Sequence, residues 1–204
     1  MTIAYSFDSE EPVKSTRVAA VSKLAPDATE QVWRGEWASE YPLNTFQVRR
    51  DGGGAGGSAG YLVLPVRDAP QFYAESTPQW WDRPTTFDLR AMRASFYLRE
   101  IEPITVNDGY TPPRLFVANY EQGQGYCGWD LLTPLVVGVY DWAYNDVELL
   151  SDESAWARYS NERSLEHVLT RAGFIGVRYA IDHGRGGVGA TGALGIDEFA
   201  YDLR

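Results

Sequence analysis

The sequence is poor in the residues that many catalytic and metal sites use, because its 204 residues include one cysteine, two histidines and two lysines. A single cysteine excludes a disulfide within the chain and any zinc site built from cysteines. Two histidines, His167 and His183, leave little choice for a histidine-based catalytic triad, and the His-Glu-x-x-His zinc motif is absent. The sequence therefore predicts no catalytic residue.

Positive charge is also scarce, since 18 basic residues stand against 28 acidic ones and the net charge is −10. Such a charge repels phosphate backbones and anionic lipid. The apolar run 131–140 contains Pro134 and is too short to span a bilayer, and the opening residues lack the basic and apolar regions of a signal peptide. We therefore expect a product made in the cytoplasm, with no nucleic-acid partner and no insertion into a membrane.

Strand patterns dominate the apolar part of the sequence. The apolar runs are short, rich in Val, Tyr, Phe and Thr, and bounded by Gly, Pro, Asn and Asp, which is typical of strands. Eight such runs predict one all-β domain over residues 1–204, folded as an antiparallel β-sandwich or barrel. The predicted strands are 17–22, 45–50, 60–66, 87–99, 114–120, 136–142, 174–181 and 194–203.

One short helix is predicted after Ser160 or Asn161, where apolar residues recur every three or four positions up to Ala172 and Gly173 follows. A second helical turn is expected over 153–159. Glycine gathers in 51–60 and 184–192, but each tract precedes a strand and lacks the Gly-Lys-Ser/Thr of a phosphate loop. Both tracts are therefore expected to be connecting loops.

Aromatic residues near predicted loops are the strongest functional signal. A sugar ring presents an apolar C–H face and a rim of hydroxyls, which suits an aromatic platform beside planar polar groups. The alternative is that the tryptophans fill the core. On the first interpretation the stacking residues are Trp80, Trp81 and Trp129, with Asp82, Asn119 and Gln122 as hydroxyl partners.

Both ends of the sequence carry acidic residues, in 6–11 and in 195–199. Calcium binds six to eight oxygens from carboxylates and carbonyls, which two adjacent terminal strands could supply. Solvated surface charge is the alternative.

The order of these features resembles the galactose-binding-like family and related jelly-roll carbohydrate-binding modules. The resemblance lies in the opening Tyr-Ser-Phe-Asp-Ser-Glu-Glu, in the turn and strand over 57–64, in the long strand at 89–99, and in the closing Gly-Ala-Leu-Gly-Ile-Asp-Glu-Phe. It implies a jelly roll with a structural calcium ion, and by position it points to Asp8 or Glu10, together with Asp197, as the ligands. Concanavalin-like lectin domains show similar features.

The resemblance implies a non-catalytic module that binds a glycan or a cell-surface polysaccharide. By analogy of fold, such a module without a signal peptide is also expected on the surface of a virion or phage-like particle, as an adhesion component. Two alternatives stay open. One is a purely structural assembly or decoration protein that contacts other particle subunits or its own copies, and the other is a glycoside-active enzyme with paired carboxylates.

Overall fold

The computed structural model describes residues 2–4, 33–36, 47–65, 71–75, 88–106, 110–121, 125–160, 162–181 and 190–202. This part of the chain forms twelve strands and one short helix, together with 3-10 turns at Ala55–Gly57 and Glu153–Ala155. The strands are β1 Thr2–Ala4, β2 Trp33–Glu36, β3 Gln47–Arg49, β4 Tyr61–Pro65, β5 Gln71–Glu75, β6 Arg93–Val106, β7 Tyr110–Glu121, β8 Gly125–Pro134, β9 Ala143–Glu148, β10 Trp156–Ser160, β11 Phe174–Ile181 and β12 Ala190–Asp202. The helix is α1 Leu165–Thr170.

The strands form two antiparallel sheets. The first sheet has the order β3-β4-β12-β6-β9, with β1 also paired to β12. The second sheet has the order β10-β8-β7-β11-β5-β2. Side chains from both sheets belong to one buried cluster, including Phe96 and Ile196 from the first sheet and Val117 and Val177 from the second. The sheets therefore pack face to face, as in a β-sandwich.

Four of the strand pairs are nested along the chain. The outermost pair is β4 with β12, inside it lies β5 with β11, then β6 with β9, and innermost β7 with β8. Successive pairs alternate between the two sheets, and β12 with β6 and β11 with β7 join them within each sheet. This winding is that of a jelly roll. The predicted antiparallel β-sandwich with one short helix is thus confirmed.

Alternation along the strands sorts side chains between the core and the two outer faces. On β6, Ala94, Phe96 and Leu98 are fully buried in the core, so the residues between them point outward. Phe96 stacks on Phe199 of β12 at 5.1 Å between ring centroids. A ligand can therefore contact the protein on the outer faces of the sheets.

Some predicted boundaries differ from the structure. The predicted strand 87–99 begins only at Arg93, because Asp88 accepts hydrogen bonds from the backbone and guanidinium of Arg90 and folds the chain into a turn. The helical turn expected over 153–159 is a 3-10 turn followed by β10. The helix begins after Ser164, whose side chain accepts from the backbone N–H of His167, and not after Ser160 or Asn161.

The predicted strand 136–142 is wrong. The segment is a connection in which Gly138 forms an isolated bridge with Arg99. The buried side chain of Asn145 accepts from the N–H of Val136 at 2.8 Å and donates to its carbonyl at 2.9 Å. These bonds use the backbone groups that a strand would pair. The predicted strand 17–22 lies outside the described residues.

No helix in the described part of the chain is long and apolar enough to cross a membrane.

Candidate functional site

The sequence-predicted ligand residues fall into two groups. Trp80, Trp81, Asp82 and Gln122 lie outside the described residues, so their proposed sugar contacts stay predictions. Trp129 and Asn119 are described.

Trp129 and Asn119 both lie on neighbouring strands of the second sheet, and both are buried. Trp129 is 7% exposed and belongs to the core cluster, and Asn119 is 4% exposed. The indole Nε1 of Trp129 donates to the carbonyl of Arg163 at 3.1 Å, which satisfies its polar atom inside the fold. Their roles in sugar binding stay predictions, and their burial argues for packing against the core.

The outer face of the second sheet is closed at its described centre. Leu115 and Val117 of β7 are in the core cluster, so Phe116 and Ala118 point to the other side of the sheet. Both are fully buried, and Asp130, which pairs with Phe116 on β8, is 3% exposed. Since a surface site must be accessible, the first sheet is the better candidate.

The outer face of the first sheet carries exposed aromatic residues. Tyr97 of β6 pairs with Tyr144 of β9 across the ladder, and their ring centroids lie 5.1 Å apart with planes inclined by 50°. Tyr144 is 56% exposed, whereas Tyr97 is half-buried. We call these two residues the tyrosine pair.

An ion pair lies on the same two strands beside the tyrosine pair. Arg93 of β6 donates through Nε and Nη2 to the two carboxylate oxygens of Asp146 on β9, at 3.0 and 2.8 Å. Asp146 raises the pKa of Arg93 through these hydrogen bonds. Bidentate contacts of this kind fix the orientation of both planar groups. The tyrosine pair is therefore followed along the sheet by oriented polar groups.

Trp142 marks the other end of this surface. Its Nε1 donates to the carbonyl of Gly53 at 2.8 Å, and its ring meets Tyr61 edge to face at 5.3 Å. A Cβ added to Gly195 would lie 2.8 Å from the ring. A glycine at this position of β12 therefore leaves room for the indole. Trp142 is thus fixed across the sheet by one hydrogen bond and two neighbours.

The residues 51–60, which we call the glycine loop, cover part of the same face. The loop joins β3 to β4, as predicted for a connecting loop. Asp197 of β12 points outward in the ladder position opposite Tyr97, yet it is fully buried. Its Oδ2 accepts from the backbone N–H of Ala55 at 2.8 Å and from Ser58 Oγ at 2.5 Å. The glycine loop therefore holds a carboxylate of the protein itself.

Ser58 stands in the sequence Gly-Gly-Ser-Ala-Gly, which has the Gly-x-Ser-x-Gly spacing of a hydrolase nucleophile. That nucleophile lies between a strand and a helix and is activated by a histidine. Here strand β4 follows the serine, and its hydroxyl donates to Asp197. The geometry is that of a structural contact.

The calcium expectation concerns Asp8, Glu10 and Asp197. Asp8 and Glu10 lie outside the described residues, and no group of three metal-binding side chains occurs among the described ones. Asp197 offers a fully buried carboxylate on β12, three residues before Ala200, which pairs with Ala4 of β1. Its carboxylate accepts hydrogen bonds from the backbone N–H groups of Ala55 and Glu198 and from Ser58 Oγ, and the calcium site stays a prediction.

The tyrosine pair was not predicted from the sequence. Tyr97 lies inside a predicted strand, where an aromatic residue is most simply assigned to the core. The available signal was alternation, because Tyr97 and Arg99 on β6, and Trp142, Tyr144 and Asp146 around β9, occupy every second position. This spacing places them on one side of a sheet.

Comparisons with known proteins gave matches in structure alone. No family model matches the sequence, and no curated protein does. One similar structure is the C-terminal family 22 carbohydrate-binding module of Clostridium thermocellum Xyn10B, with 13% identity, a TM-score of 0.44, and coverage of 84% of this chain and 85% of that one. Another is the CBM22-1 xylan-binding domain of Paenibacillus barcinonensis Xyn10C, with 13% identity, a TM-score of 0.46, and coverage of 98% and 92%. A third is CtCBM11, with 10% identity, a TM-score of 0.46, and coverage of 84% and 88%.

Proposed function

We propose that this chain is a non-catalytic carbohydrate-binding module that binds a glycan on the outer face of its first sheet. The observation that carries the proposal is the tyrosine pair, with Tyr144 more than half exposed on a rigid ladder. An exposed aromatic ring offers the apolar C–H face of a sugar a surface that needs no rearrangement.

Polar groups beside the tyrosine pair suit the hydroxyl rim of the same sugar. Arg93 and Asp146 are both exposed and oriented by their mutual hydrogen bonds. Each group retains further donor or acceptor positions for hydroxyls. An aromatic platform flanked by planar polar groups is a common arrangement of binding sites for small polar ligands.

The test is binding to a panel of soluble polysaccharides by affinity gel electrophoresis and calorimetry. The panel includes bacterial surface polysaccharides and xylan, the polymer named for one of the similar modules. We expect Tyr144→Ala to lower the affinity for the bound glycan by about tenfold, which corresponds to roughly 1.4 kcal/mol. Tyr140→Ala is the matched control, because Tyr140 is 85% exposed but lies outside the pair.

Unchanged binding by Tyr144→Ala would remove this surface from the proposal. Release of reducing ends from the bound polymer would overturn its non-catalytic part and favour the paired-carboxylate enzyme.

The assembly alternative has its own observation. Val136, Val139 and Tyr140 are apolar or aromatic and exposed in the connection before β9, and exposed apolar side chains are typical of contacts between subunits. Sedimentation of the purified chain tests it, because an assembly subunit forms multimers and a lone module stays monomeric. A place on a virion or phage-like particle stays a prediction.

A structural calcium ion is also part of the proposal, with Asp197 as its described ligand. Calcium bound to the folded state raises the unfolding midpoint by mass action. We expect millimolar calcium to raise the midpoint of chelator-treated protein and to leave Asp197→Asn unaffected. The same midpoint with and without calcium would remove Asp8, Glu10 and Asp197 as metal ligands.

A further inference from the structure

Arg99 lies on the proposed binding face between two glycines. On one side it pairs with Gly195 of β12, and on the other it bridges to Gly138. Neither neighbour has a side chain, so the guanidinium is bordered by the indole of Trp142, with its carbon 6.0 Å from the ring centroid. An aromatic neighbour at this distance stabilises a cation without neutralising it.

Arg99 has no acidic partner among the described residues. The ion pairs found there join Arg90 to Asp88 and Glu166, and Arg93 to Asp146. No oxygen in the described part of the chain accepts a hydrogen bond from the Arg99 guanidinium, and its Nε is buried without an acceptor. Arg99 is half-buried, and its buried Nε is out of the reach of a ligand, so a ligand meets the terminal Nη groups.

The position of Arg99 connects it with the tyrosine pair. Tyr97 lies two residues earlier on the same face of β6, which separates the two Cα atoms by about 7 Å. One glycan chain lying on Tyr97 and Tyr144 therefore passes within reach of the Arg99 guanidinium.

We propose that Arg99 binds the carboxylate of a uronic acid, so that the module selects acidic polysaccharides. This inference rests on the proposed function and specifies its ligand. A guanidinium presents parallel N–H donors that match the two oxygens of a planar carboxylate. Because the chain has a net charge of −10, its overall field repels polyanions. Selection of an acidic glycan therefore requires a local cation, and Arg99, which has no acidic partner within the described ranges, supplies one.

The experiment compares a uronic-acid polysaccharide with the same polymer after chemical reduction of its carboxyl groups to neutral sugars. We expect the wild-type chain to bind the acidic polymer ten- to a hundredfold more tightly than the reduced one, and this preference to weaken as salt is added. Arg99→Gln should abolish the preference while binding to the reduced polymer persists. Arg99→Lys should retain part of it, because it keeps the charge and loses the paired donors.

Arg158→Gln is the matched control, since Arg158 also lies near an indole, 5.9 Å from the ring centroid of Trp129, but on the second sheet. The Arg158→Gln variant should prefer the acidic polymer to the same degree as the wild type. A sulfated polymer of similar charge density forms a further arm. Binding it as tightly as the uronic-acid polymer would overturn the carboxylate assignment.

The results separate this inference from the proposed function. Equal affinities for the acidic and reduced polymers, unchanged in Arg99→Gln, would overturn the inference, while loss of binding in Tyr144→Ala would still support the glycan surface. Absence of binding to every polymer by folded wild-type protein would overturn both.

Discussion

The two halves of the outer face of the first sheet differ in what covers them. One ladder row shows the contrast, because Asp197 of β12, Tyr97 of β6 and Tyr144 of β9 are neighbours across three strands. Asp197 is fully buried beneath the glycine loop, and Tyr144 at the other end is exposed. The loop reaches over one half of the face, where it bonds Asp197, and Trp142 lies at the border.

One sheet thus combines a fixed half and an accessible half. On the covered half, backbone and hydroxyl donors of the glycine loop satisfy a buried carboxylate, which would otherwise destabilise the fold. On the open half, the strands alone position the side chains. Substitutions on the covered half should therefore affect stability, and those on the open half should affect binding.

The largest effect is expected from Gly54→Ala on the covered half. A Cβ at this position would lie 2.7 Å from Asp197 Oδ2 and 2.9 Å from the backbone oxygen of Ser58. Because the backbone and a buried carboxylate cannot both retreat, we expect a loss of about 3 kcal/mol in the free energy of unfolding. Denaturant titration measures it.

Gly56→Ala is the control for this substitution. Gly56 has a φ of +60°, and a Cβ added there would meet no atom within 4 Å, so only backbone strain of about 1 kcal/mol is expected. Equal losses for the two variants would show that the glycine loop is not packed on Asp197.

Ser58→Ala should have the next largest effect, because it removes the hydroxyl that donates to Asp197 at 2.5 Å. The loss of one hydrogen-bond donor to a buried carboxylate lowers the free energy of unfolding by about 2 kcal/mol. Ser95→Ala is the matched control on the open half, where a half-buried serine faces the same side of the sheet. Its stability should stay within about 0.5 kcal/mol of the wild type.

Trp142→Phe tests the border between the halves. The substitution keeps an aromatic ring and removes the hydrogen bond to the carbonyl of Gly53, so we expect a loss of about 1 kcal/mol. Hydrogen exchange should become faster in the glycine loop and stay unchanged in β11, which lies in the other sheet. Uniformly faster exchange would mean that Trp142 supports the whole fold and not this border.

Much of the fold could be predicted from the sequence because local patterns determine it. The predicted strand 174–181 matches β11 in both bounds, since Ile175 and Val177 alternate with outward residues and face the core. The strand prediction for 136–142 was wrong because the backbone there is fixed by hydrogen bonds with Asn145, a residue beyond the apolar run. A side chain that bonds the backbone at a distance leaves no periodic signal.

The candidate surface was harder to predict because exposure depends on neighbouring strands. Trp129 lies in Gly128-Trp129-Asp130, a composition typical of a loop, but Cys127, Trp129 and Leu131 alternate inward along β8. The reverse holds for Tyr97. Its position inside a predicted strand indicated the core, but it lies next to the edge strand β9 and is partly exposed. Both outcomes follow from the sheet order, which depends on contacts between residues far apart in sequence.

The smallest expected effect is a pH dependence from the entrance of the glycine loop. Asp51 is exposed, and its pKa lies below the ordinary value of 3.8, chiefly because its carboxylate accepts a hydrogen bond from the backbone N–H of Gly53, with a further contribution from the hydroxyl of Tyr61. A carboxyl whose folded-state pKa is lowered stabilises the fold fully above its unfolded pKa and loses this contribution as pH falls through the folded value. Asp51→Asn should therefore reduce the fall in stability below about pH 4 and leave the pH dependence between 5 and 8 unchanged. Denaturant titrations of both proteins across this range measure the difference. If the free energy of unfolding falls equally below about pH 4 in both proteins, the contacts of Asp51 do not help to stabilise the covered half.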